Sequence, residues 1–159
     1  MADEQIKTFT LEEARGLLPV LESLLRGAII AKQEAEVAEG NLAALNLRIQ
    51  MAGGMLVDVP KAARDRAIRQ HGIQRAKDAL SEIDAIGVQV KDIETGLLDF
   101  PFVLDDEIVL LCWKLGEADI SFWHTTESGF GGRQRLDDRF NSGHTKTPKA
   151  GPAGDDKPN

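Results

Sequence analysis

The sequence predicts an α+β fold: a long antiparallel helical hairpin, coiled-coil-like, packed on a small antiparallel sheet of three or four strands. Three observations predict it. Leu17, Leu21, Leu24, Ala28, Ala31, Ala35, Ala38, Leu42, Leu45 and Ile49 recur in alternating steps of four and three, the a/d seam of a helix packed on a helix. A second helical stretch follows a Gly53-Gly54 stop, with Ile73, Ala76, Leu80 and Ile83 as its seam. From Leu98 the period changes to two, with Leu98, Phe100, Phe102 and Leu104 on one side and Asp99, Pro101 and Val103 on the other.

Each element has its own signal. Ile6 to Phe9 reads as an extended lead-in. Thr10-Leu11-Glu12-Glu13 fits a capping box, so a helix starts there. Pro19 falls about two turns in, where an interior proline costs about 3 kcal/mol. A kink, or a short first helix ending near Leu17, is therefore expected. The four central seam residues are Ala, which lets the partner helix come close. A second stripe, Ile30, Val37, Ala44, Leu47 and Met51, lies on the opposite side and asks for a second neighbour, such as the sheet or another subunit. The next helix opens around Pro60, capped by Asp58 or Val59, and runs to Ile86 with Gly87 as its C′ residue. Its basic run, Lys61, Arg64, Arg66 and Arg69, reads as an exposed face, or as partners for Glu34, Glu36 and Glu39.

Val88 to Ile93 is a candidate fourth strand. Asp105-Asp106 can turn the chain into an apolar strand, Glu107 to Trp113. Leu115-Gly116 supplies a second turn. With the tightest turns at both places, Asp99, Cys112 and Asp119 form a row across three strands. Ile120, Phe122 and His124 then share the opposite, apolar face with Val109, Leu111 and Trp113. Pro101, lacking an N–H, places its strand at an edge or a bulge. The glycine-rich loop 129–132 follows. Residues 1–136 read as one domain and 137–159 as a disordered tail.

Composition bounds the function. The chain has 159 residues and a formal net charge of −7, against a general nucleic-acid binder or a binder of anionic membranes. A single Cys excludes an intrachain disulfide framework and a cysteine-based zinc finger. The start MADEQIK has no apolar core of a signal peptide, and no window approaches a membrane span. These readings give the expectation of a soluble protein in a reducing cytoplasm.

Asp99, Glu117, His124 and Arg133 are the candidate site residues. His124 is a general acid or base, or an anion ligand, if it meets Arg133; otherwise it is a core-edge histidine on a carbonyl or carboxylate. The loop glycines would let backbone N–H groups approach an anion that Arg133 clamps. Glu117 reads first as part of a solvated hairpin tip, and Lys91, Asp92 and Glu94 as an exposed edge. Cys112 reads as a small buried hydrophobe. Flanking carboxylates would raise its pKa and favour a metal over nucleophilic chemistry. Cys112, Asp99, Asp119 and His124 make a zinc set on paper, but the tightest-turn register puts His124 on the face away from Cys112. No Walker motif or GxGxxG follows a strand, and no cofactor is expected.

LLDFP at 97–101, LCWKLGE at 111–117, WH at 123–124 and GFGGRQ at 129–134 resemble the signature of a prokaryotic family, the domain of unknown function 2203. FTLEEARGLLP at 9–19 and GVQVKDIETGLLDFP at 87–101 resemble it too, with no departure in these segments. The resemblance covers about residues 9–134. It implies one domain of helices and sheet, and it implies no activity. Two functions follow from the residues. One is an interaction or scaffold protein that forms a homodimer or docks a protein partner through its hairpin. That reading, the one the sequence favours, requires the stripe Ile30, Val37, Ala44 and Met51 to stay uncovered by its own chain. The other is a small enzyme or a ligand- or anion-binding protein, with a metal-dependent variant. It requires Asp99, Glu117, His124 and Arg133 to converge.

Overall fold

The computed structural model describes residues 5–141. Two helices, α1 (Leu11–Met51) and α2 (Val59–Ile86), precede strands β1 (Gln89–Asp92), β2 (Leu97–Leu104), β3 (Glu107–Lys114), β4 (Phe122–Thr125) and β5 (Gln134–Arg135). Short 3-10 turns lie at Phe130–Gly132 and Asp138–Asn141. The five strands form one antiparallel sheet in sequence order. The fold is α+β with a helical hairpin, and the sheet has one strand more than the upper sequence expectation. The chain divides into two compact units. One is Glu22–Glu82; the other joins the N-terminal residues up to Leu21 with the chain from Ile83 onward.

The Glu22–Glu82 unit is the hairpin. Ala28, Ala31, Ala35 and Ala38 are buried, as their spacing predicts. The facing seam on α2 differs from the expected one. Ile73 is exposed, and Gly72 is buried beside it. The reason is distance: a Cβ on Gly72 would lie 2.6 Å from the Ala31 carbonyl oxygen and 3.1 Å from Ala35 Cβ. Where two helices approach this closely, the smallest residue takes the seam. The α2 cations do pair with α1 carboxylates, Arg69 to Glu39 at 2.7 Å and Arg75 to Glu34 at 3.6 Å. Glu36 pairs with Lys32 on its own helix.

Helix ends follow the sequence closely. The Thr10 N–H donates to Glu13 Oε1 and the Glu13 N–H to Thr10 Oγ1, both at 3.0 Å, a complete capping box. Asp58 caps α2 by accepting from the Lys61 N–H at 3.0 Å. Both helices end in Schellman motifs: Gly54 and Gly53 donate to the carbonyls of Ile49 and Gln50, and Val88 and Gly87 to those of Ile83 and Asp84. α1 runs through Pro19 without a break, so the short first helix expected to end near Leu17 does not form. The capping box fixes the turns before Pro19, and buried Ala14, Leu21 and Leu25 hold the helix on either side.

The second unit is built on the sheet. Asp105 and Asp106 both have positive φ, 51° and 68°, the signature of a type I′ hairpin turn. That turn pairs Leu104 with Glu107 and Asp99 with Cys112, as the tightest-turn register predicts. Pro101 sits where β1 no longer flanks β2, and its carbonyl accepts the Phe9 N–H at 2.9 Å. β2 is an interior strand, not the expected edge, and the missing N–H of Pro101 lies beyond the end of β1, on the side where Phe9 is the neighbour.

The second hairpin corrects the expectation. The turn at Leu115-Gly116 exists, with the Glu117 N–H donating to the Lys114 carbonyl and Gly116 at φ 106°. Only its second central residue has positive φ, so it is not the primed turn that continues a hairpin. Pairing resumes at β4, where Cys112 meets Phe122 instead of Asp119 and Leu110 meets His124. A slip of three residues is odd, so every β4 side chain changes face. His124 and Phe122 join Asp99 and Cys112. Trp123 joins Leu111, on the apolar face with Phe102.

The expected tail begins earlier in sequence than the structure's last turn. Residues 137–141 include Asp138–Asn141, whose Phe140 is buried with its ring 4.9 Å from Phe102 and 5.4 Å from Trp123. The rest of the expected tail lies outside the described residues.

Candidate functional site

The slipped register gathers polar side chains on one face of the sheet. Asp99 comes from β2, Cys112 from β3 and His124 from β4. They are 2%, 1% and 3% exposed. Each offers one donor atom, and the three atoms lie within 4.8 Å of one another. Glu117 stands in the β3–β4 loop, and Arg133 precedes β5. The Arg133 guanidinium donates from Nη1 to Cys112 Sγ at 3.8 Å and from Nη2 to Glu117 Oε2 at 2.8 Å. Glu117 is held in turn by the Lys114 N–H, 3.0 Å from Oε1. Asp99, Glu117, His124 and Arg133 therefore converge, with Cys112 between the two pairs. Asp119 does not: it is exposed and pairs with Arg15 at 2.8 Å.

Exposure is graded through the cluster. The side chains of Arg133 and Glu117 are 18% and 24% exposed, so the Asp99–Cys112–His124 end is buried and the Arg133–Glu117 end meets solvent. Phe122 and Phe130 lie 4.0 and 4.4 Å from the guanidinium carbon, fixing the plane of the Arg133 fork. These two rings are the part that sequence reasoning missed. Phe130 sits inside the glycine loop, and Phe122 is assigned to the wrong face without the slip. Two of the loop's N–H groups are already engaged within it. The Gly132 and Arg133 N–H groups bond to the Gly129 and Phe130 carbonyls, which fixes the backbone from which the Arg133 side chain leaves.

The imidazole of His124 has both nitrogens engaged. Nδ1 is 2.7 Å from the Thr125 carbonyl oxygen, and Nε2 is 3.1 and 3.2 Å from the Asp99 carboxylate oxygens. A carbonyl is only an acceptor, so Nδ1 carries a proton. In the neutral ring Nε2 would then turn a lone pair toward an acceptor. Burial pushes the Asp99 carboxyl above its usual range, against the pull of His124, Lys91 and Cys112. Burial also pushes the Cys112 thiol up to about 11, opposed by the Arg133 hydrogen bond and reinforced by Asp99. Partial burial works against the Arg133 charge, but hydrogen bonds to Glu117 and Cys112 outweigh it and raise its pKa.

This geometry limits the chemistry. His124 has no free nitrogen for acid–base work on another molecule, and a protonated Cys112 is a weak nucleophile. Among the described residues no helix is long and apolar enough to cross a membrane.

No curated protein and no solved structure matches the chain. A family model does, over residues 7–136, and its span contains all five members of the cluster. Each of the four short segments that carry the resemblance contributes to it: Asp99 from LLDFP, Cys112 and Glu117 from LCWKLGE, His124 from WH and Arg133 from GFGGRQ. The chain belongs to the family described as uncharacterized conserved protein, DUF2203.

Proposed function

We propose that this is a binding protein whose working centre is the Asp99–Cys112–His124 cluster, with Arg133 and Glu117 at its solvent side. The observation that supports this reading is the convergence itself. Five polar side chains from three strands and two loops meet on one face of the sheet, three of them buried. Burying such groups costs several kcal/mol, and apolar residues of similar volume are often as stable or more so. The same geometry favours holding a ligand over acid–base or thiol catalysis, since the groups for either are engaged or protonated.

The test is native mass spectrometry of the protein purified from its own host without chelator. Added mass on the wild type, lost in Arg133→Gln or in Glu117→Gln, supports the reading. A bare mass, with no shift in melting temperature from metal salts, phosphate or simple carboxylates, removes it.

A second reading is homodimerisation through α1, in a cytoplasmic protein. It rests on a separate observation. Ile30, Val37 and Met51 are 51%, 66% and 78% exposed, and with exposed Ala44 they repeat every seventh residue. That period fits another helix, and a second copy of α1 provides one. Sedimentation of the wild type and of Val37→Glu tests it. A dimer that the substitution dissociates supports the reading, and a wild-type monomer ends it.

A further inference from the structure

We propose that the ligand of this cluster is a divalent d-block cation of the zinc class, held by an Asp99 carboxylate oxygen, Cys112 Sγ and His124 Nε2, with one coordination position left over. The inference rests on the reading of the cluster as a binding site and goes further by naming the ligand.

Geometry is the first argument. Tetrahedral zinc has ligand bonds of about 2.0–2.3 Å, which sets neighbouring donor atoms roughly 3.3–3.7 Å apart. Asp99 and His124 already stand 3.1 and 3.2 Å apart, and all three donors fit within 4.8 Å. Small rotations of buried side chains complete the set. The donor mixture is the second argument. One oxygen, one imidazole nitrogen and one sulfur suit a borderline-soft ion, whereas calcium and magnesium take oxygen sets.

The third argument is the direction of the imidazole. The Thr125 carbonyl keeps the proton on Nδ1, the usual outer-sphere partner of a metal-bound histidine. Nε2 and the Asp99 carboxylate then face each other across 3.1–3.2 Å with a proton shared between them, and a cation would take that proton's place. Charge is the fourth argument. Arg133 and Glu117 neutralise one another. A divalent ion neutralises the Asp99 carboxylate and a Cys112 thiolate, so the cluster stays neutral when loaded. Binding exchanges one divalent ion for two protons, the thiol's and the one held between Asp99 and His124. The Arg133 Nη1–H then donates to the metal-bound sulfur.

The experiment uses the full chain, reduced and stripped by chelator, titrated with Zn2+ by calorimetry and with Co2+ by absorption. The expected result is one ion per chain, release of about two protons near neutral pH in paired buffers, and cobalt bands of a tetrahedral site with thiolate charge transfer. Cys112→Ser should lose the charge-transfer band, and Asp99→Asn should bind at least about tenfold more weakly. His71→Ala, on the exposed face of α2, should bind as wild type. Circular dichroism of each variant separates lost binding from lost folding. If Cys112→Ser does not fold, the charge-transfer band of the wild type decides alone. Absence of saturable uptake by the folded wild type, or uptake without that band, overturns the proposal. A melting shift with phosphate or carboxylates that needs Arg133, but no metal uptake, would sink the metal and leave the binding-site reading standing.

Discussion

Cys112 and His124 are the two buried titratable side chains that carry the predictions at the scale of single residues. With its thiol pushed to about 11, Cys112 in the metal-free chain should resist iodoacetamide at pH 8 and react at once in denaturant. A folded-state pKa above the unfolded value stabilises the protein below the unfolded pKa of about 9. That contribution, on the order of 2–3 kcal/mol, should disappear as pH rises from about 9 through 11, visible as a falling urea midpoint. Cys112→Ala should flatten this alkaline limb. Removing one member of the buried pair has a larger effect. His124→Leu leaves the Asp99 carboxylate without its partner and should cost about 3–5 kcal/mol in urea denaturation of metal-free protein. The double variant with Asp99→Leu should recover much of that loss. A double variant as unstable as the sum of the singles would mean the pair is not coupled.

Between elements, the sharpest prediction contrasts two glycines within helices of the hairpin unit. At Gly40 a Cβ meets nothing within 4 Å, so Gly40→Ala should add about 0.5–1 kcal/mol through helix propensity alone. At Gly72 the new Cβ would press on the Ala31 carbonyl, which is backbone and cannot step aside. Gly72→Ala should therefore lose about 1–3 kcal/mol despite the same gain in propensity. Denaturant melts of the two variants should move in opposite directions.

That contrast also shows where sequence reading reaches its limit. The α1 seam, the capping box, the Gly53 stop and the Asp105-Asp106 turn are legible because each depends on neighbours in the chain. Gly72 is not, because an apolar pattern points to Ile73, and only the interhelix distance selects the residue beside it. The β4 register is not legible either. The turn residues are visible, but a Gly116 turn that is not of the primed type delays pairing by three residues. That delay moved His124 from the apolar face to the side of Cys112. The structure brings Asp99, Glu117, His124 and Arg133 together with Cys112, whereas the row expected from the tightest turns holds Asp119 where His124 stands. Phe140 was missed because its polar surroundings hide one aromatic that fills the gap between Phe102 and Trp123. Phe140→Ala should lower stability by about 3–5 kcal/mol, and a chain ending at residue 136 should melt earlier still.

At the scale of the whole molecule, net charge and the exposed helical stripe act against each other. Two copies carrying −7 each repel, so a dimer formed through Ile30, Val37 and Met51 should tighten as salt rises from 20 to about 300 mM. Sedimentation equilibrium across that range would read it, and a dimer weakened by salt would point to ion pairs instead. The sheet has a bearing on the same question. Its outermost strands are short: β1 has four residues and an irregular step between Val90 and Asp92, and β5 has two. The eight-residue strands β2 and β3 lie inside. A sheet bounded in this way offers little unpaired backbone for a foreign strand to copy, so it is guarded against fibril growth and strand exchange. Self-assembly of this chain should leave the β-sheet infrared signature unchanged, and any lawful oligomer should be helical at its joint.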